Sequence, residues 1–70
     1  MCDGMGRTIK ASRLIEALEK DGWVLVRRRG SHRQYRHPCK KGTVTVNAEG
    51  NADIWGALLK SIERQSGLKF

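Results

Sequence analysis

The sequence predicts a single α+β domain in the order helix, three strands, helix, and three observations lead there. One stretch near each end of the 70-residue chain repeats apolar residues at helical spacing. Between them lie three short runs rich in branched and aromatic residues or alternating apolar with polar. Turn chemistry separates each run from the next. A chain this short, 39% apolar, buries only about 60% of the surface its unfolded form exposes, which excludes a second domain.

The elements follow in chain order. Residues 1–7 read as a flexible N-terminal lead, and the domain occupies 8–70. From Thr8 or Ser12 to Lys20, Ala11, Leu14, Ile15 and Leu18 recur on one helical face; either hydroxyl is a candidate cap, and Asp21-Gly22 stops the helix. "WVLVRRR" predicts a strand over about 23–28, with its turn at Arg29-Gly30-Ser31. "HRQYRH" is a second strand ending at Pro38, and the basic turn "CKKG" leads into a third, "TVTV", where Val44 and Val46 alternate with threonines. "NAEGNAD" reads as a loop. Asp53 is then the candidate cap of a last helix carrying Trp55, Leu58, Leu59 and Ile62, which Gly67 closes as a left-handed C-cap with Leu68 behind it. An antiparallel meander offers one face to both helices and leaves the other wet.

The charge is segregated. The formal net charge is +7, and no acidic residue lies between Asp21 and Glu49. Arg27, Arg28, Arg29, Arg33, Arg36, Lys40 and Lys41 supply seven positive charges there, while the other seven bases are matched by seven acids. A basic field confined to the middle third attracts polyanions, nucleic acid first among them.

Strand alternation divides the residues that could act on such a ligand. His32, Gln34 and Arg36 point one way, and Arg33, Tyr35 and His37 the other. With Tyr35 as the plug beneath the helices, His32 falls on the exposed face, next to Gly30-Ser31. Glycine lets a phosphate approach the backbone, and turn amides with the Ser31 hydroxyl can donate to it. An imidazole there can accept a proton from an RNA 2′-hydroxyl, or simply bind phosphate by hydrogen bonding. His37 is read as a partly buried histidine bonded near the Pro38 turn.

Other classes find little support. The N-terminus has no apolar core for a signal peptide, and nothing approaches a membrane span. Cys2 and Cys39 read as free thiols of a cytoplasmic protein. His32, His37, Cys39 and Cys2 match no zinc spacing, no cofactor is expected, and no nucleotide loop, carboxylate pair or nucleophile elbow is present. Trp23 and Trp55 read as core or rim packing.

"LIEALEKDGWVLVRRRGSHRQYRHPCKKGTVTV", followed by a closing helix ending "IERQSGL", resembles the HicA toxins of bacterial toxin-antitoxin modules over about residues 10–68. The most specific pieces are "DGW", "GSH", "HP", "KGTVTV" and "QSGL", in that order. The resemblance implies a double-stranded-RNA-binding-like α-β-β-β-α fold, an mRNA interferase activity that cuts mRNA, and a HicB-type antitoxin partner, with DNA contacted only through that antitoxin. It assigns catalysis to His32. Asn47-Ala48 stand where the family usually has Pro-His, and Ala57-Leu58 where it has Gly-Thr, which suggests a last helix starting early, near Asp53.

The expected function is therefore an RNA endonuclease without a metal, in which His32 acts as general acid or base. Arg27, Arg28, Gly30, Ser31, Arg33, Arg36, Lys40 and Lys41 are the candidate RNA-binding residues. Parity favours Arg36 for neutralising phosphoryl charge. A non-catalytic RNA-binding module on the same fold is the alternative.

Overall fold

The computed structural model describes residues 8–70; the predicted lead at 1–7, with Cys2, lies outside the described residues. Seven elements follow one another: β1 (Thr8–Lys10), α1 (Ala11–Asp21), β2 (Val24–Arg29), β3 (His32–Arg36), β4 (Thr43–Asn47), β5 (Asp53–Trp55) and α2 (Gly56–Ser66). The predicted helix, three strands and helix are all present, with β2-β3-β4 as an antiparallel meander.

The core lies on one face of that sheet. Tyr35 of β3 with Val44 and Val46 of β4 are buried beneath Leu14 and Leu18 of α1 and Leu59 and Ile62 of α2, with Trp23 and Ile54 completing the cluster. Each of these is apolar or aromatic at a position where its element's own periodicity points inward. Helix α1 ends as its "DG" predicts. Gly22 takes φ 107°, its N–H bonds the Glu19 carbonyl at 3.0 Å and the Trp23 N–H bonds the Leu18 carbonyl at 3.0 Å, a Schellman closure whose Leu18 and Trp23 both belong to the buried core.

Two short strands replace expected helix ends. β1 and β5 form their own antiparallel ladder, pairing Thr8 with Trp55, Ile9 with Ile54 and Lys10 with Asp53. The reason is alternation: "TIK" and "DIW" each turn one isoleucine toward the core, and Ile54 is fully buried. Asp53 is therefore not a helix cap. It pairs instead with Lys10, Nζ to Oδ1 at 3.1 Å, and α2 begins at Gly56 behind an extended Trp55 with no side-chain cap. Neither Thr8 nor Ser12 caps α1. Its leading N–H groups are taken by loop carbonyls, Ala11 donating to Ala52 at 2.9 Å and Ser12 to Gly50 at 3.2 Å.

Trp55 also departs from expectation. It is 65% exposed, because the buried face of α2 runs through Leu59, Ile62 and Ser66. Gly67 closes α2 at φ 77° as predicted.

Candidate nucleic-acid interface

The face of the meander opposite the helices carries three members of the basic segment, Arg27, Arg29 and Arg36. Directly opposed residues in an antiparallel pair share a face, so the register places His32 with Arg29 on one side and Asn47 on the other, Gln34 with Arg27 and Thr45, and Arg36 with Val24 and Thr43. Tyr35, by contrast, stands opposite Leu25 and Val44 on the helix face. Arg27, Arg29, His32 and Gln34 line a shallow groove of about 270 Å³.

A β-bulge makes this grouping possible. The register of β2 against β3 slips between Leu25 and Arg27, so Val26 has no partner of its own. In an unbroken strand Arg27 and Arg29 would share the face of Leu25, toward the helices. The extra residue reverses the alternation and turns both arginines onto the face of His32. It leaves Arg28 opposite Arg33 on the helix side.

Gly30 and Ser31 form the turn between β2 and β3. Gly30 has φ 61° and open space where a Cβ would stand, as a site of close approach requires. The Ser31 hydroxyl donates to Asn47 Oδ1 at 3.2 Å, which ties the turn to β4 and fixes the Asn47 amide beside His32.

The other predicted contacts lie apart from this groove. Arg33 is partly buried and its Nη1 donates to the Ala48 carbonyl at 2.7 Å, anchoring the loop after β4. Lys40 bonds Asp21 Oδ2 at 2.6 Å and the Ser66 carbonyl at 3.1 Å, clasping the ends of both helices. Lys41 is exposed between β3 and β4. Arg29 and Asn47, which the sequence reading left out of the binding set, stand directly opposite His32. In sequence Arg29 reads as a turn residue, and only the strand register shows it as a neighbour of His32.

His37 is built into the structure. Its side chain is 9% exposed and meets the Trp23 ring edge-on at 5.2 Å between centroids. Nδ1 accepts from the backbone N–H groups of Cys39 at 2.9 Å and Lys40 at 3.1 Å. The proton therefore sits on Nε2, which donates to the Asp21 carbonyl at 2.6 Å. The ring is neutral in this arrangement, so its 3.9 Å approach to Asp21 Oδ2 is not an ion pair.

Asp21 titrates below its usual value, chiefly because Lys40 hydrogen-bonds its carboxylate, with partial burial opposing. A carboxyl depressed in the folded state contributes stability above its unfolded value, about 3.9, and loses it as pH falls through the folded one. Wild type should thus be more stable than Asp21→Asn at pH 7, and the gap in urea midpoint should shrink as pH falls below the unfolded carboxyl value and through the lower folded one. An unchanged gap would show that the clasp does not act through the carboxylate charge.

Among the described residues no His, Cys, Asp and Glu side chains are grouped to hold a metal ion, Cys39 is an exposed free thiol, and no helix is long and apolar enough to cross a membrane. A second concavity of about 520 Å³ follows α2 past Leu59, Glu63, Arg64 and Leu68; it holds no histidine.

The family model for the HicA toxin of bacterial toxin-antitoxin systems matches residues 11–68, from the start of α1 through the C-cap of α2. Two helices on a three-stranded antiparallel sheet are consistent with that family's double-stranded-RNA-binding-like fold. No curated protein matches the chain.

Proposed function

We propose, from the premise that this chain belongs to the HicA toxin family of bacterial toxin-antitoxin modules, that it is an endoribonuclease acting on mRNA through His32. The observation that carries the reading is the open sheet face, where the bulge and the register set one exposed histidine between Arg29, Arg27 and Asn47.

In the proposed reaction Arg27, Arg29 and Arg36 hold the RNA backbone by its phosphates. His32 takes the proton of a 2′-hydroxyl as that oxygen attacks the neighbouring phosphorus. The P–O5′ bond breaks, the departing oxygen takes a proton from solvent, and the products are a 2′,3′-cyclic phosphate and a 5′-hydroxyl end. Arg29 is better placed than Arg36 to neutralise the phosphoryl oxygens. It stands directly across from His32, whereas Arg36 is four residues along the same strand, about 13 Å away.

The test is the chemistry of the ends. Purified protein given a long RNA in EDTA should yield 5′-hydroxyl fragments with cyclic or 3′-phosphate partners. Intact RNA would favour the second reading, a non-catalytic RNA-binding module. One observation speaks for that module: Asn47, not a second imidazole, faces His32 from β4.

Affinity should respond to the face and not to net charge alone. Each phosphate contact on single-stranded RNA adds about 0.7 to the slope of log K against log salt. Replacing Arg27, Arg29 and Arg36 with alanine should lower that slope by about 2, while replacing Lys10, Arg13 and Lys69 should barely move it. Equal changes would mean a diffuse field.

The partner proposed for control is a HicB-type antitoxin that covers the groove. Acidic groups reaching it would meet Arg27, Arg29 and Arg36. Arg33 lies on the opposite face, tied to the Ala48 carbonyl, and is not among the groups such a partner would meet in the groove.

A further inference from the structure

The outer edge of β2 presents main-chain groups and an apolar half that the proposed RNA contacts leave unused. β2 pairs with β3 alone among the described strands, and all six of its residues are exposed. Its first half is apolar, with Val24 58%, Leu25 41% and Val26 54% exposed. Its second half is Arg27, Arg28 and Arg29. Alternate N–H and C=O groups along such an edge point away from the sheet.

We propose that this edge takes an added strand from a protein partner: an extended segment that runs antiparallel to β2, acidic in its first half and apolar in its second. Antiparallel pairing sets the segment's start against Arg27–Arg29 and its end against Val24–Val26. Main-chain bonds supply the attachment, and the two halves fix direction and register. Three apolar residues give a phosphate backbone nothing to bind, so the edge is suited to polypeptide.

Charge decides against a second copy of this chain. Antiparallel self-pairing would press the arginines of each copy onto the other's Val24, Leu25 and Val26 with no counter-charge, and parallel pairing would set arginine on arginine. No carboxylate lies between Asp21 and Glu49 to relieve either arrangement. Charges and a bulge are what edge strands use to refuse their like; here the bulge at Val26 and the arginines do so, and carboxylates on the incoming segment lift the repulsion. An occupied edge also sets acidic side chains beside Arg27 and Arg29, which line the His32 groove, so strand addition and RNA binding should compete. The proposal itself rests on the edge and not on cleavage.

The probe is a synthetic six-residue peptide, Glu-Thr-Glu-Val-Thr-Val with blocked ends, added to the isotope-labelled full chain. Backbone amides of β2 should shift and exchange more slowly with solvent. The same peptide with lysine for glutamate should bind at least about tenfold more weakly. Charge reversal by Arg27→Glu with Arg29→Glu should exchange the preference between the two peptides, a result that loss of folding cannot imitate. Shifts confined to His32, Gln34 and Arg36 would mean a polyanion on the groove and would overturn strand addition. So would no binding, or β2 shifts that follow protein concentration without peptide, the mark of self-pairing. RNA cleavage assayed alone reports on His32, so either reading can fail without the other.

Discussion

His32→Ala should lower RNA cleavage by about 10² to 10⁴, the usual contribution of a positioned general acid or base. Its circular dichroism and thermal midpoint should match wild type. The residue is exposed at the first position of β3 and has no part in the core, so removing the imidazole opens no cavity. RNA affinity should fall less than about tenfold, because the arginines carry the counter-ion release that dominates binding. His32→Gln sharpens the comparison. A glutamine can still hydrogen-bond phosphate but cannot take a proton from a hydroxyl, so it should bind like wild type and cleave like the alanine variant. Cleavage by both variants at the wild-type rate, in preparations free of other ribonucleases, would remove His32 from the chemistry and leave only a binding surface.

How far such a site is legible in sequence depends on which rule governs each residue. Parity along "HRQYRH" is strict because β3 is flanked on both sides. It separates His32, Gln34 and Arg36 from Arg33 and Tyr35, the same division that the strand register has. Parity along "WVLVRRR" is not, since an edge strand tolerates an extra residue and nothing in three successive arginines marks where it sits. The facing of Arg27, Arg28 and Arg29 is thus settled by the bulge at Val26 and not by spacing. In sequence Asn47 reads only as a residue standing in place of the family's usual proline, and its position opposite His32 comes from the β3-β4 register.

The helix ends show the limit from the other side. Asp53 is a good cap by residue type, and Trp55 continues the stripe of Leu58, Leu59 and Ile62 at helical spacing. The same residues also satisfy a period of two around Ile54, and a three-residue overlap cannot separate the periods. Pairing with Thr8–Lys10 decides in favour of the strand, a long-range contact absent from local pattern. Lys40 is similar. Its charge counts toward the basic segment, but Asp21 and the α2 carboxyl end claim it.

Gly22→Ala should be among the most damaging single changes in the chain, although it adds one methyl group. The residue sits at φ 107°, where an L side chain costs roughly 1–2 kcal/mol. Its Cβ would also lie 2.7 Å from His37 Nε2, so the imidazole must retreat. That ring cannot move without giving up the 2.6 Å bond to the Asp21 carbonyl and its edge-on seat against Trp23, and an orphaned buried group costs about 1–3 kcal/mol. The sum, roughly 2–5 kcal/mol, is comparable to the whole stability a single core gives a domain of this size, about 3–5 kcal/mol. A fall in thermal midpoint of at least about 10 °C is expected. Gly30→Ala separates the two causes, because Gly30 also has positive φ, 61°, but meets nothing within 4 Å; it should lose only the backbone part. In a His37→Ala background the Gly22→Ala penalty should shrink to that of Gly30→Ala, since the ring it collides with is gone. Equal losses at Gly22 and Gly30 in the wild-type background would show that the close approach to His37 carries no weight, and that the helix end alone requires the glycine.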